Sequence, residues 1–186
     1  MKLQAADWGG SQRPSNRSAH TAGGYSPDRP KLDTGTVAGN TAAAWFVITP
    51  KLAGQTLTAT VAHQGYVDVS NVYLMYPAIG LDNAGEGYMA FSLSGPNNYP
   101  SSAYIAFGPD GASGPVHVAL AGNAPEDGFT CYAAFVGPNY GGCRWGDYSA
   151  AVAMSGNIYM GSEMITPEDR DYLTNWDTLV YIAPAP

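Results

Sequence analysis

The chain has 186 residues, a net charge of −7 and only 12% charged residues, with 23 glycines and 14 prolines spread along it. The few lysines and arginines form no basic run, which argues against binding to nucleic acid or to an anionic membrane surface. No apolar run reaches the roughly 20 residues that cross a bilayer, so no membrane insertion is predicted. The frequent glycines and prolines interrupt every potential helix and are typical of an all-β chain of short strands.

Residues 1–40 are polar and rich in turn residues, and they show little hydrophobic periodicity. We therefore predict an irregular, turn-rich connection over this range. The first seven residues contain no apolar segment typical of a signal peptide, so secretion would require either that an export signal has been removed or that the chain begins within a domain.

From residue 41 to residue 186 the chain changes to short apolar or alternating segments separated by turn residues. Thr56–Ala62, for example, alternates with a period of two, as a half-buried strand does. The sequence predicts about eleven strands and no helix beyond a single turn near Pro167. The segments assigned to strands are Ala44–Thr49, Thr56–Ala62, Asn71–Tyr76, Ala78–Leu81, Tyr88–Ser92, Ala103–Phe107, Val116–Leu120, Phe129–Val136, the hairpin within Tyr148–Glu163, and Thr178–Ile182.

One segment of the chain is repeated. Tyr76–Ala90 and Tyr148–Gly161 both read Tyr-x-Ala, an apolar strand, a glycine turn, and Tyr-Met before a small residue, with an offset of 72 at the tyrosines. Repeated strands with equivalent hairpin turns favour propeller blades over a sandwich. The spacing leaves room for only about two to three blades, whereas a closed propeller typically needs about 4–8. We therefore expect an incomplete propeller, or one that is completed by homo-oligomerisation or by the remainder of a longer protein.

The two cysteines, Cys131 and Cys143, flank a segment that reads as strand, turn and strand. In a hairpin they would lie roughly opposite each other, as a cross-strand disulfide requires. We expect this disulfide and, with it, an extracellular location; the alternative is two buried free thiols in a cytosolic protein. The three histidines are isolated and none flanks a cysteine, so neither a metal site nor a cofactor is predicted.

The candidate catalytic residues are Arg144, Asp147 and Glu163, which lie near the start and the end of the second copy of the repeat. Arg144 could hold a substrate carboxylate through two hydrogen bonds, and Asp147 and Glu163 could serve as acid and base. The alternative is structural, with Arg144 and Asp147 pairing with each other or with backbone, and with Glu163 solvated at a strand end.

The candidate ligand-binding residues are the aromatic side chains Trp145, Tyr148 and Tyr76, which could stack on sugar rings. The chain has 13 tyrosines, so the alternative for the tyrosines is packing within the sheets.

The string Arg144-Trp145-Gly146-Asp147-Tyr148-Ser149 resembles a segment of secreted bacterial proteins with a sialidase-like β-propeller fold. Over residues 42–183 the chain is similar to the C-terminal portion of that group, through Tyr76–Ile79, Asn97–Ala103 and Asn175–Thr178. The resemblance implies a propeller of about six blades, of which this chain would form the last half. The Ser-x-Asp-x-Gly-x-x-Trp boxes of true sialidases are absent.

The resemblance also implies a function. It predicts an extracellular module that binds carbohydrate or hydrolyses it, and the enzyme class would be glycoside hydrolase. The alternative is a non-catalytic propeller module for adhesion, scaffolding or assembly.

Overall fold

The chain is all-β over the residues that its computed structural model describes. These are residues 2–5, 18–23, 41–132, 134, 145–166 and 174–186, the first two ranges through their backbone only. None of these residues belongs to a helix that is long and apolar enough to cross a membrane. The elements are β1 (Lys2–Ala5), β2 (Ser18–Gly23), β3 (Ala43–Ala53), β4 (Thr56–Val67), β5 (Tyr73–Leu81), β6 (Gly87–Gly95), β7 (Asn98–Gly108), β8 (Gly111–Leu120), a 3-10 turn (Phe129–Cys131), β9 (Ala150–Met154), β10 (Asn157–Ile165) and β11 (Trp176–Pro184).

The strands form three antiparallel sheets, each of which follows the chain from one hairpin to the next. The first sheet has the order β1-β2-β3-β4, the second β5-β6-β7-β8, and the third β11-β10-β9. The second sheet lies between the other two, because one of its faces packs on the first sheet and the opposite face packs on the third. Its inner strands, β6 and β7, therefore bury side chains on both faces.

The core between the first and second sheets is organised around Trp45. The Trp45 ring meets the Phe107 ring edge to face at a centroid distance of 5.4 Å. Two glycines leave the space that the indole occupies: a Cβ on Gly65 would lie 2.6 Å from the ring, and one on Gly111 would overlap it. Because real Cβ contacts are not this short, only glycine fits at either position.

The interface between the second and third sheets is partly polar. Ala90, Ile158 and Met160 form its buried apolar centre. Beside them the Ser102 and Ser162 hydroxyls share a hydrogen bond across the two sheets. The Tyr181 hydroxyl donates to the Ala103 carbonyl oxygen at 3.1 Å. These bonds satisfy hydroxyl groups that would otherwise be costly to bury.

The internal repeat corresponds to the same hairpin in two sheets. Ala78 pairs with Ala90 in the second sheet, and the repeat positions Ala150 and Gly161 pair with each other in the third. In the third sheet the connection is Ser155–Gly156, whose φ values of 52° and 78° are those of the tight turn that suits a right-handed hairpin twist. The repeat therefore extends from sequence to strand register.

Two strands, β1 and β2, lie within residues 1–40, the range predicted to be an irregular connection; the remaining residues of that range lie outside the described residues. β2 pairs with β1 on one side and with β3 on the other. Their sequences, Lys-Leu-Gln-Ala and Ser-Ala-His-Thr-Ala-Gly, show no clear alternation of apolar and polar residues. They join the sheet through backbone pairing with β3, whose apolar pattern is clear. Such pairing leaves no mark in the residue pattern of β1 and β2 themselves.

The predicted strand beginning at Phe129 is wrong at its start, where the chain forms a 3-10 turn. The Glu126 carboxylate accepts hydrogen bonds from the Gly128 N–H at 2.9 Å and the Thr130 hydroxyl at 3.1 Å, which favours the turn over an extended strand. Cys131 lies in this turn, and the described residues include no free cysteine. Cys143 lies outside those residues, so its pairing with Cys131 stays a prediction.

Candidate functional site

A pocket of about 230 Å³ lies at one end of the third sheet, where β10 ends and β11 begins. The segment that precedes β9 and the loop around the 3-10 turn complete its wall. Its lining combines carboxylates, indole rings and a hydroxyl, which are the groups that proteins use to bind polar organic ligands. The lining residues are Glu126, Thr130, Trp145, Gly146, Asp147, Glu163 and Trp176.

Glu163 is placed in this pocket by the hairpin that the sequence repeat predicts. It is the seventh residue of β10 and pairs with Thr178 of β11. Its backbone carbonyl accepts a hydrogen bond of 2.7 Å from the Ser92 hydroxyl of the second sheet. The base of the Glu163 side chain is therefore held by two sheets.

The segment before β9 is held against Glu163 by Tyr76. The Tyr76 hydroxyl donates a hydrogen bond of 2.6 Å to the Trp145 carbonyl oxygen. Tyr76 has a φ of 54° and lies where the register of β5 shifts, so a bulge directs its side chain. Gly146 follows with a φ of 45°, and a Cβ there would clash with the Glu163 carboxylate. The positive φ favours glycine at this position, and the absence of a side chain leaves room for the Glu163 carboxylate.

The electrostatics of the pocket favour a protonated Glu163. Burial of the carboxyl group raises the pKa of Glu163 above its usual value, and the neighbouring carboxylates of Asp147 and then Glu126 raise it further. Both causes disfavour the charged form. A carboxyl group that keeps its proton closer to neutral pH is suited to donate that proton to a leaving group.

The two indole rings give the pocket apolar surface beside its carboxylates. Trp176 is supported by Phe129 of the 3-10 turn, with ring centroids 5.3 Å apart. Next to it, the Asn175 side-chain amide donates to the Pro125 carbonyl oxygen at 2.7 Å and ties the loop to the start of β11. The Trp145 Nε1 atom is buried and has no hydrogen-bond partner among the described residues.

The structure brings together three of the residues predicted from the sequence, namely Asp147, Glu163 and Trp145. Arg144 lies outside the described residues. Tyr148 is 57% exposed and does not line the pocket. Tyr76 does not line it either; it instead holds the backbone of a residue that does.

Sequence reasoning missed Glu126, Thr130 and Trp176. Trp176 lies in the terminal segment that carried part of the family resemblance, which was a signal for its importance. Glu126 and Thr130 belong to a loop with no periodicity and no motif, so only the folded chain reveals that they line the pocket. Among the described residues, no group of histidine, cysteine and acidic side chains is arranged to hold a metal ion.

The fold and the pocket define a class: an all-β protein of packed antiparallel sheets with an acidic, tryptophan-lined pocket at one end of a sheet. No protein-family model matches the chain, and no curated protein or solved structure matches it.

Proposed function

We propose that this chain is an extracellular, sialidase-like β-propeller module that binds glycans in the pocket lined by Trp145 and Trp176 and hydrolyses a glycosidic bond there. The observation that carries the proposal is the Glu163 carboxyl group, whose pKa is raised by burial and by Asp147 in a pocket that also contains two indole rings. A pair of carboxyl groups that flank the scissile bond is the usual catalytic machinery of glycoside hydrolases.

The propeller assignment is supported by the sheets themselves. Each sheet is a meander, neighbouring sheets pack face to face, and the β5–β6 and β9–β10 hairpins share one register at repeat-equivalent positions. Radial repetition of four-stranded meanders is the architecture of a propeller. The three sheets are then three blades, of which the last has three strands among the described residues.

In the proposed mechanism Glu163 is the general acid. It donates its proton to the glycosidic oxygen as the bond to the anomeric carbon breaks, and Asp147 acts on the opposite side of the sugar ring as nucleophile or as base toward water. Arg144 precedes Trp145 directly in the chain and would bind a carboxylate or hydroxyl of the substrate. Trp145 and Trp176 would supply stacking surface for sugar rings.

The test is a panel of fluorogenic aryl glycosides, neutral and acidic, with the native protein and four variants. Glu163→Gln and Asp147→Asn should lower kcat by about 10²–10⁴-fold, the usual contribution of a general acid or base, while the melting curve stays cooperative. Arg144→Ala should affect acidic glycosides more than neutral ones. Glu86→Gln changes a carboxyl group that does not line the pocket and should leave turnover unchanged. Full activity of Glu163→Gln would contradict the catalytic assignment.

The alternative is a non-catalytic propeller module that binds glycans for adhesion or scaffolding. It predicts no turnover on any glycoside, together with glycan-array binding that Trp145→Ala and Trp176→Ala abolish. The panel and the array together therefore separate an enzyme from a binding module.

A further inference from the structure

Two apolar sheet faces remain exposed at opposite ends of the stack of three sheets. The residues that define these two faces below do not line the pocket, although Glu163 follows Tyr159 in the same phase of β10 and so lies on the outer side of the third sheet. Large exposed apolar surfaces on a folded domain usually mark a site of association. Their composition and their relation to the internal interfaces indicate what covers them.

The first surface is the outer face of the third sheet. Ile182 pairs with Tyr159, which pairs with Val152, so the three side chains form one row across the sheet. Residues at alternate positions face the second sheet instead, as Ile158 and Met160 do. The exposed fractions of Val180 and Ile182 are 70% and 57%, although both lie within a strand of the sheet. We define the outer face of the third sheet by Val152, Met154, Tyr159, Val180 and Ile182.

The outer face of the third sheet is equivalent to the face of the second sheet that the third sheet covers. In the repeat, Val152 and Tyr159 correspond to Gly80 and Tyr88 of the second sheet. The face that contains Gly80 and Tyr88 is covered by the third sheet, which approaches so closely that a Cβ on Gly80 would lie 2.8 Å from the Ala151 backbone. In the third sheet the equivalent face, which contains Val152 and Tyr159, is not covered by another sheet of the chain. A further sheet therefore fits against this face.

The second surface is the outer face of the first sheet. Trp45 and Val47 are buried against the second sheet, so Phe46 and Ile48 point to the opposite side. Ile48 pairs with Val61, which is exposed. Among the residues of β3 and β4 that share this phase none is charged, and Gln64, which pairs with Phe46, is polar. We define the outer face of the first sheet by Phe46, Ile48, Leu52, Leu57, Val61 and Tyr66.

We propose that the outer face of the third sheet docks on the outer face of the first sheet of a second copy of this chain, and that two copies close into one ring. A second copy is the occupant because it supplies both missing surfaces at once. The outer face of its first sheet covers the third sheet of its partner, and the outer face of its own third sheet is covered in return. Two chains of three sheets make six blades, within the range of about 4–8 in which propellers close.

Each of the two junctions joins two different faces, and two-fold rotation exchanges the junctions, so the assembly closes as a dimer. The proposal rests on the propeller assignment proposed above, but it is independent of whether the pocket is catalytic.

Sedimentation equilibrium of the native chain tests the proposal. The expected mass is that of two chains, and Ile182→Glu or Met154→Glu should reduce it to that of one by burying an unpaired charge. Val118→Glu is the control, since Val118 is 49% exposed but lies on the edge strand of the second sheet, outside both outer faces. It should remain a dimer.

A mixing experiment distinguishes a junction between two different faces from a junction between two copies of the same face. Ile182→Glu and Val61→Lys should each be monomeric alone, and an equimolar mixture should recover the dimer, because one junction is then native and the other joins opposite charges. Circular dichroism and a cooperative melt establish that each variant is folded, and Met154→Glu replaces Ile182→Glu if the latter is not. A monomeric native chain, an open-ended series of larger species, or a dimer that survives folded Ile182→Glu would each overturn the proposal.

Discussion

The Tyr76 hydroxyl donates a hydrogen bond of 2.6 Å to the Trp145 carbonyl oxygen, across 69 residues of sequence. Tyr76 belongs to a bulge in β5 of the second sheet, whereas Trp145 lies in the segment before β9 of the third. The bond joins the wall of the pocket to a strand that the other sheets hold on both faces. The two copies of the Tyr-x-Ala repeat therefore differ in role, since Tyr148, the counterpart of Tyr76, is exposed.

Tyr76→Phe should affect ligand binding in the pocket more than it affects the stability of the fold. It removes the donor to the Trp145 carbonyl and leaves the ring in place, so the free energy of unfolding should fall by about 1 kcal/mol. Affinity for the glycan ligand proposed above should fall several-fold, because the Trp145 backbone is less constrained. Urea unfolding and a glycan titration followed by tryptophan fluorescence measure the two effects. Tyr99→Phe, at an exposed position, should change neither; equal affinity in the two variants would contradict the positioning role.

Glu163→Gln should stabilise the protein at neutral and alkaline pH and have a smaller effect in acid. The folded protein retains the Glu163 proton to a higher pH than the unfolded chain does, since its pKa is raised from 4.5 by burial and neighbouring carboxylates. This group's contribution to stability is full below the unfolded pKa and is lost as the pH rises through the folded pKa. The amide never ionises, so it avoids that loss.

Thermal melts of both proteins from pH 4 to pH 8 measure the predicted difference. The gain in Tm for Glu163→Gln should grow with pH and then level off above the folded pKa of Glu163. Glu86→Gln controls for the removal of one negative charge elsewhere on the chain. A gain that is the same at every pH would show that the Glu163 side chain does not titrate in this range.

Gly111→Ala should be strongly destabilising, because the new methyl group would overlap the Trp45 ring and because φ is 111°. Gly114→Ala is the matched control: its φ of 77° is also positive, but nothing lies within 4 Å of its Cβ position. We expect a loss of about 1–2 kcal/mol for Gly114→Ala from backbone strain alone. Gly111→Ala should lose about 1–3 kcal/mol more from overpacking. Denaturant unfolding measures both values, and equal losses would contradict the close packing of Trp45.

Tyr181→Phe should destabilise the interface between the second and third sheets by about 1–2 kcal/mol, because the Ala103 carbonyl loses its donor and the serine hydroxyls lose a partner. It should also make the fold less sensitive to alkali. Burial raises the pKa of Tyr181, so the folded state keeps this proton while the unfolded chain releases it above about pH 10. Stability from this group is therefore lost as the pH rises through the folded pKa.

Melts of the native protein and Tyr181→Phe between pH 8 and pH 11 give the comparison, with Tyr73→Phe as the exposed control. The curves of the native protein and Tyr181→Phe should converge toward high pH. A constant separation would contradict the linkage.

The all-β class and most strands were predictable from local pattern. Thr56–Ala62 and Thr178–Ile182 alternate, and both lie within strands. Asn71–Tyr76 and Ala78–Leu81 look like two strands but form one, because the bulge at Tyr76 and Pro77 shifts the register without ending the ladder. The segment at Phe129 has the pattern of a strand but forms a turn. The hydrogen bonds to the Glu126 carboxylate that favour the turn are not visible in the periodicity of the segment.

The sequence by itself determined that the chain is built of short strands, that one hairpin recurs, and that Trp145, Asp147 and Glu163 are candidate site residues. These follow from backbone preferences and from residue type, which are local properties. Only the tertiary structure decided that Glu126 and Trp176 join them, that burial and like charge raise the pKa of Glu163, and that apolar faces are left uncovered at both ends of the stack. Proximity, desolvation and solvent exposure depend on how distant segments pack, and no local pattern encodes them.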